Sequence, residues 1–230
     1  MSNLRPIFKI SGEEKENLSL SSWKVAANAA EPVRIETLDQ FSDTFSSCQF
    51  SPKAFTPSYG LAEATVKVAI SDVASEPYTL IVDKNQLSNG VIQTEFIATD
   101  STRLLVASGR VNRDTKSIIV DPSSCRRSSP QEIGEIWVTG PSIATGYWGL
   151  EKETQETFYA GLADEPSKKT YLRTGDLGFI DDDELFITGR IKDLIIIGGV
   201  NYYPQDIELT IIKCDSALNP DHAAAFSAEI

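Results

Sequence analysis

From Tyr78 onward the apolar residues come in short runs, and each run stops at a turn residue. Leu80–Val82, Leu104–Ala107, Ile118–Val120 and Ile136–Val138 are too short for helices. Gly90, Gly109, Pro122 and Gly134 break them, which is the pattern of an antiparallel β region. The upstream third reads differently. Ser22–Ala30 begins as a strand-like run, Pro32 occupies a plausible first helical position, and Ile35, Leu38, Phe41 and Phe45 follow at helical spacing. A strand, a turn and an amphipathic helix ending near Ser47 are expected, with a second such turn at Pro57–Glu63. The fold class is therefore α/β, an α/β layer followed by an antiparallel β region that one helix, near Glu151–Gly161, interrupts.

Towards the C-terminus, Tyr171–Gly189 reads as two strands around a turn at Asp181–Glu184, and Leu194–Ile197 as a further strand. A helix starts at Pro204. Ile207 and Ile211 share one of its faces, and Asp206 and Glu208 suit the positive end of its dipole. A chain of 230 residues with 41% hydrophobic residues can bury a full core, as one domain or two unequal ones.

A net charge of -12 opposes attraction to phosphate backbones and anionic membrane surfaces, so neither nucleic acid nor a membrane is expected as a partner. It does not veto ATP, because Mg2+, backbone N–H groups and a few local cations can neutralise the phosphates. Cys48, Cys125 and Cys214 are far apart and form no CxxC pair, so neither a disulfide framework nor a zinc site is suggested. Met1–Lys15 lacks the apolar core of a signal peptide, and no stretch reaches membrane-span length. A soluble, cytoplasmic chain is expected.

The most specific stretch is Tyr171–Glu208, YLRTGDLGFIDDDELFITGRIKDLIIIGGVNYYPQDIE. Its TGDL, GRIKD and PQDIE blocks, in that order and spacing, resemble the adenylate-forming superfamily. A carboxylate can accept two hydrogen bonds at once, so a rigidly held Asp176 could grip both hydroxyls of a ribose. In an isolated Gly-Asp the same residue would read as a turn Asp capping backbone N–H groups. The resemblance assigns Asp176 to the ATP ribose and Arg190 to the same ribose. For Arg190 the alternative is a surface ion pair with one of Asp181–Glu184. Lys192 falls at the position of the family's hinge between its large and small domains.

Tyr59–Glu63 (YGLAE), within FTPSYGLAEAT, resembles the second superfamily signature. An aromatic ring beside a glycine lets a base stack while backbone comes close, which points to Tyr59 and Gly60. The resemblance makes Glu63 the ligand of the Mg2+ that bridges the phosphates. Asn28–Pro32 (NAAEP) is similar to the family's adenine-side turn and gives Ala29 and Ala30 to the nucleotide. The family commonly carries Gly where Ala29 stands, which implies a narrower site or an altered turn. Gly134–Trp148 (GEIWVTGPSIATGYW) also resembles the family and is read as architecture, with Trp137 and Trp148 as packing residues. Asp181–Asp183 with Glu184 lacks the ligand spacing of a calcium loop and reads as a hairpin turn. His222, the single histidine, is given no role.

Within the superfamily, SSWKVAANAAEPVR, FTPSYGLAEAT, SIIVDPSSC and YYPQDIE are most similar to the fatty-acyl-AMP ligase family. Ser71–Ser108 resembles the insertion that distinguishes these ligases and that is thought to restrain rotation of the small domain. The resemblance implies that residues 1–190 are part of the large AMP-binding domain, with the insertion at about 71–108, and that 191–230 begin the small C-terminal domain. The implied reaction joins a fatty acid to ATP, giving fatty-acyl-AMP and pyrophosphate with Mg2+ as cofactor. An acyl carrier protein or polyketide synthase is the implied acceptor. Neither a phosphate loop before NAAEP nor a small-domain catalytic lysine is found. The chain alone is therefore expected to be nearly inert, since that lysine's electrostatic contribution is worth about several kcal/mol. A fatty-acyl-CoA ligase shares the motifs without the insertion, and a non-catalytic nucleotide-binding or interaction module is the alternative from another class.

Overall fold

The structure, a computed structural model, describes residues 10–165, 169–214 and 223–228. His222 lies outside the described residues. After a short capped helix, α1 (Gly12–Glu16), strand β1 (Ala26–Asn28) leads through the Ala29–Arg34 turn into α2 (Ile35–Phe45). The expected helix is present but starts at Ile35 rather than at Pro32. Ala30 takes a left-handed conformation, and Arg34, the N-cap residue, is still extended. Leu38, Phe41 and Phe45 are buried as their spacing requires. Phe41 packs against Phe45, Phe50 and Phe55 with ring centroids 4.7, 4.9 and 5.8 Å away. This aromatic cluster fastens α2 to β2 (Phe55–Tyr59), which pairs in parallel with β1.

After β3 (Ala69–Ile70) the stretch read as an insertion, about 71–108, holds a separate three-stranded sheet. Strand β4 (Thr79–Asp83), helix α3 (Lys84–Ser88), β5 (Thr94–Glu95) and β6 (Thr102–Val106) give three antiparallel strands in the order β5-β4-β6. Val82, Leu87, Ile92 and Leu105 from this unit bury the stacked pair Phe179 and Phe186 of the main sheet.

The main sheet is completed by β7 (Arg110–Val111), β8 (Lys116–Asp121), β9 (Arg126–Arg127), β10 (Gly134–Thr139), β11 (Leu172–Asp181) and β12 (Glu184–Arg190), with α4 (Glu151–Phe158) between β10 and β11. Its nine strands run in the order β1-β2-β3-β7-β12-β11-β10-β8-β9, parallel at β1–β2 and antiparallel at the other pairings. The α/β layer and the antiparallel region are thus one continuous sheet. Asp182 and Asp183 both have positive φ, 48° and 65°, and turn β11 into β12 as the hairpin reading expects.

Trp137 is buried as expected, but Trp148 is fully exposed. It stands between two glycines of positive φ, and its neighbour Tyr147 does the packing, edge-on to Phe158 at 5.0 Å. Beyond β12 a short 3-10 turn, Ile191–Asp193, leads to a small hairpin, β13 (Ile195–Ile197) and β14 (Val200–Tyr202), and then to α5 (Pro204–Cys214). No helix among the described residues is long and apolar enough to cross a membrane.

Candidate nucleotide site

The β11–β12 hairpin places Asp176 directly opposite Arg190 in the ladder. Arg190 Nε donates to Asp176 Oδ1 at 3.0 Å, while Tyr59 Oη, arriving on β2, donates to Asp176 Oδ2 at 2.6 Å. The second distance is typical of a hydroxyl bonded to an ionised carboxylate. The alternative pairing of Arg190 with the Asp181–Glu184 turn is therefore ruled out by position. Each oxygen of Asp176 keeps a further acceptor direction, so the group can still receive two donors from a ligand. Burial, reinforced by the Asp176 charge, pushes the Tyr59 phenol well above the ordinary tyrosine range and keeps it a donor.

A cleft of 270 Å3 opens at this carboxylate and is lined by Ala30, Tyr59, Gly60, Asp176, Arg190 and Gln205, among others. Five of the expected nucleotide residues, Ala30, Tyr59, Gly60, Asp176 and Arg190, are thus brought to one cleft from four separate stretches of sequence. Ala29 is exposed and does not line it; the left-handed residue of the turn is its neighbour Ala30, with φ 76°. Gly60 is required by packing, because a Cβ there would fall 1.4 Å from the carbonyl oxygen of Val66. Tyr59 meets the cleft with its hydroxyl committed to Asp176, a contact that the stacking argument did not anticipate.

Glu63 sits on the 3-10 turn Ala62–Ala64, outside the residues that line the cleft. Tyr147 Oη donates to its Oε1 at 2.8 Å; burial, with help from Glu63, pushes that phenol up to about 12. No cluster of three or more His, Cys, Asp or Glu side chains among the described residues could hold a metal ion by itself. A lone carboxylate fits Mg2+, which commonly takes one or two carboxylates and completes its shell with substrate phosphates and water. Lys192 is exposed on the 3-10 turn that leaves β12.

Two features escaped the sequence reading. Gln205 at the start of α5 reaches back to the cleft, its Nε2 donating to Thr188 O at 3.0 Å, and Arg34 Nη2 donates to Gln205 O at 3.0 Å. Glu135, the second residue of β10, is buried, and its carboxylate accepts from the Gly175 N–H in the irregular Thr174–Asp176 stretch of β11. The charged residue inside the apolar run GEIWV was the available signal for it.

The site is thus a buried carboxylate with spare acceptor capacity at a cleft of 270 Å3, on a mixed α/β sheet. The family model described as AMP-binding enzyme matches residues 3–148, and the chain belongs to that family. Among its relatives is the medium-chain-fatty-acid–[acyl-carrier-protein] ligase JamA of Moorena producens, 44% identical over 96% of this chain and 38% of the relative. A structure from work on fatty acyl-adenylate ligases of E. coli and L. pneumophila aligns over 95% of this chain and 38% of that chain, with a TM-score of 0.84 and 33% identity. The L. pneumophila fatty acyl-adenylate ligase in complex with acyl adenylate and pyrophosphate aligns over 96% of this chain and 38% of its own, with a TM-score of 0.75 and 41% identity. The chain thus spans little more than a third of the relatives it matches.

Proposed function

We propose that this chain is the ribose- and adenine-binding part of a fatty-acyl-AMP ligase. The observation that carries the reading is Asp176, held by Tyr59 and Arg190 with acceptor capacity left over at the mouth of the cleft. In the reaction, a fatty-acid carboxylate oxygen attacks the α-phosphorus of ATP and the bond to pyrophosphate breaks. Asp176 holds the ribose hydroxyls. Arg190, more than two-thirds exposed, is free to turn towards the ribose or α-phosphate. Glu63 supplies a carboxylate to Mg2+, which neutralises phosphate charge when it is bound. The activated acyl group then passes to an acyl carrier protein or polyketide synthase.

In this reading residues 1–190 are the C-terminal part of the large domain and 191–230 the start of the small one, with Lys192 at the hinge. Support comes from the 3-10 break at Ile191–Asp193, after which the chain leaves the main sheet. The three-stranded unit within 71–108 is the restraining insertion. An ion pair of 2.6 Å between Arg103 on β6 and Asp206 on α5 joins it to the segment beyond the hinge. Three free cysteines suit a reducing cytoplasm.

The test replaces the corresponding region of a fatty-acyl-AMP ligase with this chain and traps acyl-AMP as the hydroxamate, with medium- and long-chain fatty acids offered separately. ATP-dependent trapping without acyl-CoA formation supports the reading. Thioester formation with added coenzyme A would instead favour an acyl-CoA ligase. A folded chimera that traps nothing would leave a non-catalytic binding module.

A further inference from the structure

Strands β10 and β11 fall out of register at the site. From Glu135 to Trp137 on β10 the chain advances two residues, whereas their partners on β11, Leu177 and Arg173, are four residues apart. The two extra residues lie within Thr174–Asp176, the turn that presents the ribose carboxylate. Such an irregularity re-aims a side chain, and it also deprives backbone groups of their ladder partners. Gly175, at φ 72°, is the residue so displaced, and its N–H donates at 3.1 Å to Glu135 Oε1.

The other oxygen of Glu135 is equally occupied. Trp137 Nε1 donates to Oε2 at 2.8 Å, and Arg173 reaches the same atom through Nε at 3.0 Å and Nη2 at 2.8 Å. Arg173 also lies over the Trp137 ring, 5.5 Å from its centroid. A carboxylate only 1% exposed is costly to bury unless every lone pair it presents is used. Here three side-chain bonds anchor the group, and its fourth bond holds the backbone immediately before Asp176. Thr174 tightens the same turn, its hydroxyl donating to Ile136 O at 2.7 Å and accepting from Asp176 N at 3.1 Å.

We propose that Glu135 is a positioning residue for the ribose site: its carboxylate fixes the Gly175 peptide in the β11 irregularity and so aims Asp176 into the cleft. This rests on the reading of Asp176 as the ribose carboxylate. The reach of the side chain to Gly175 sets the aim, and the Arg173 pair anchors the reaching group.

Two variants separate reach from charge. Glu135→Asp keeps the anion for Arg173 but shortens the arm by one methylene, taking it out of range of Gly175. Glu135→Gln with Arg173→Gln keeps the arm's length and an amide oxygen for Gly175 while removing the ion pair. The assay is NMR titration with AMP and with 2′,3′-dideoxy-AMP, and the readout is the ratio of their dissociation constants. The native chain should prefer AMP by about a hundredfold or more, two charge-assisted bonds being at stake. Glu135→Asp should lose about tenfold or more of that preference with the affinity for the dideoxy nucleotide nearly unchanged, and the double variant should keep it. The opposite order, with the Asp variant native-like and the double variant impaired, would mean that only the ion pair matters and would overturn the proposal. So would a native ratio in both. If one variant does not give a cooperative melt, the ratio in the other still decides between reach and charge. A native chain that does not distinguish the two nucleotides would overturn the ribose reading itself, an outcome separate from a failure of Glu135 alone.

Discussion

Asp176→Ala is the substitution on which the nucleotide reading stands or falls. In the native chain Asp176 is buried and takes one donor on each oxygen, Tyr59 at 2.6 Å and Arg190 at 3.0 Å. Truncation leaves two consequences of different size. For stability, Arg190 is exposed enough to be solvated at little cost, whereas the buried Tyr59 hydroxyl loses its acceptor, a penalty of about 1–3 kcal/mol. In a chain of this length that lowers the melting temperature by about 2–4 °C for each kcal/mol. For ligand binding, two hydrogen bonds from ribose hydroxyls to an ionised carboxylate are lost, each worth about 1.5–3 kcal/mol, which together weaken binding by about a hundredfold to ten-thousandfold. Titration with AMP and a melting curve on the same variant measure both terms. A chain that melts lower but binds AMP as the native chain does would show that Asp176 only braces Tyr59 and Arg190, and that the nucleotide sits elsewhere.

Burial raises the pKa of Glu184 above the ordinary glutamate value, against the pull of Arg110, so its folded form takes up a proton more readily than its unfolded form. Stability from this group is therefore full below the ordinary glutamate pKa and is lost as pH rises through the raised one; Glu184→Gln should gain more melting temperature at pH 8 than at pH 4, and an equal change at both would refute the assignment. Gly60→Ala drives a Cβ into the Val66 carbonyl and should cost about 1–3 kcal/mol or more, read as a lowered melting temperature, whatever nucleotide is present. Arg103→Ala removes the 2.6 Å pair with Asp206 and should speed hydrogen exchange in α5 while β4 stays protected; unchanged exchange in α5 would show that the pair holds nothing in place.

What the sequence discloses about the site is what short-range geometry controls. TGDL and GRIKD flank a hairpin whose turn residues are explicit, so Asp176 and Arg190 fall on neighbouring strands; counting from the turn sets Asp176 opposite Gly189, and only the irregularity at Leu177–Gly178 brings Arg190 into that place. The buried face of α2 follows from the spacing of Leu38, Phe41 and Phe45 in the same way. The start of α2 does not, because Pro32 suits a first helical turn as well as it suits the extended stretch that lines the cleft. Val200–Tyr202 was missed because three residues paired across Gly198 and Gly199 carry no periodicity to detect. Trp148 shows the limit of composition: an aromatic next to a turn can face either way, and the neighbouring Tyr147, itself 37% exposed, is the one that reaches Phe158. Glu135 is the converse case, since a charge within an apolar strand signals a buried partner without saying that the partner includes the backbone of a turn 40 residues away.

The same hairpin that presents Asp176 also seats the insertion, and this links the two features more closely than their separation in sequence suggests. Phe179 lies three residues beyond Asp176 on β11 and stacks on Phe186 of β12 at 4.8 Å, both rings buried beneath the β5-β4-β6 sheet. Tyr78 adds an edge-on contact to Phe186 at 5.9 Å and donates to Asp181 at the hairpin turn at 3.0 Å. The insertion is thus bonded to the turn end of the hairpin, while Asp176 and Arg190 occupy its open end. Strand pairing along β11 and β12 is continuous between the two apart from one irregularity at Leu177–Gly178. Deleting the insertion would uncover two phenylalanines that are each 1% exposed, at a cost of about 1.5–3 kcal/mol apiece. It would therefore loosen the hairpin that carries Asp176 as well as removing the Arg103–Asp206 pair to α5. A deletion made to free domain rotation must cap Phe179 and Phe186 with polar replacements, or loss of adenylation will mask any thioester activity gained.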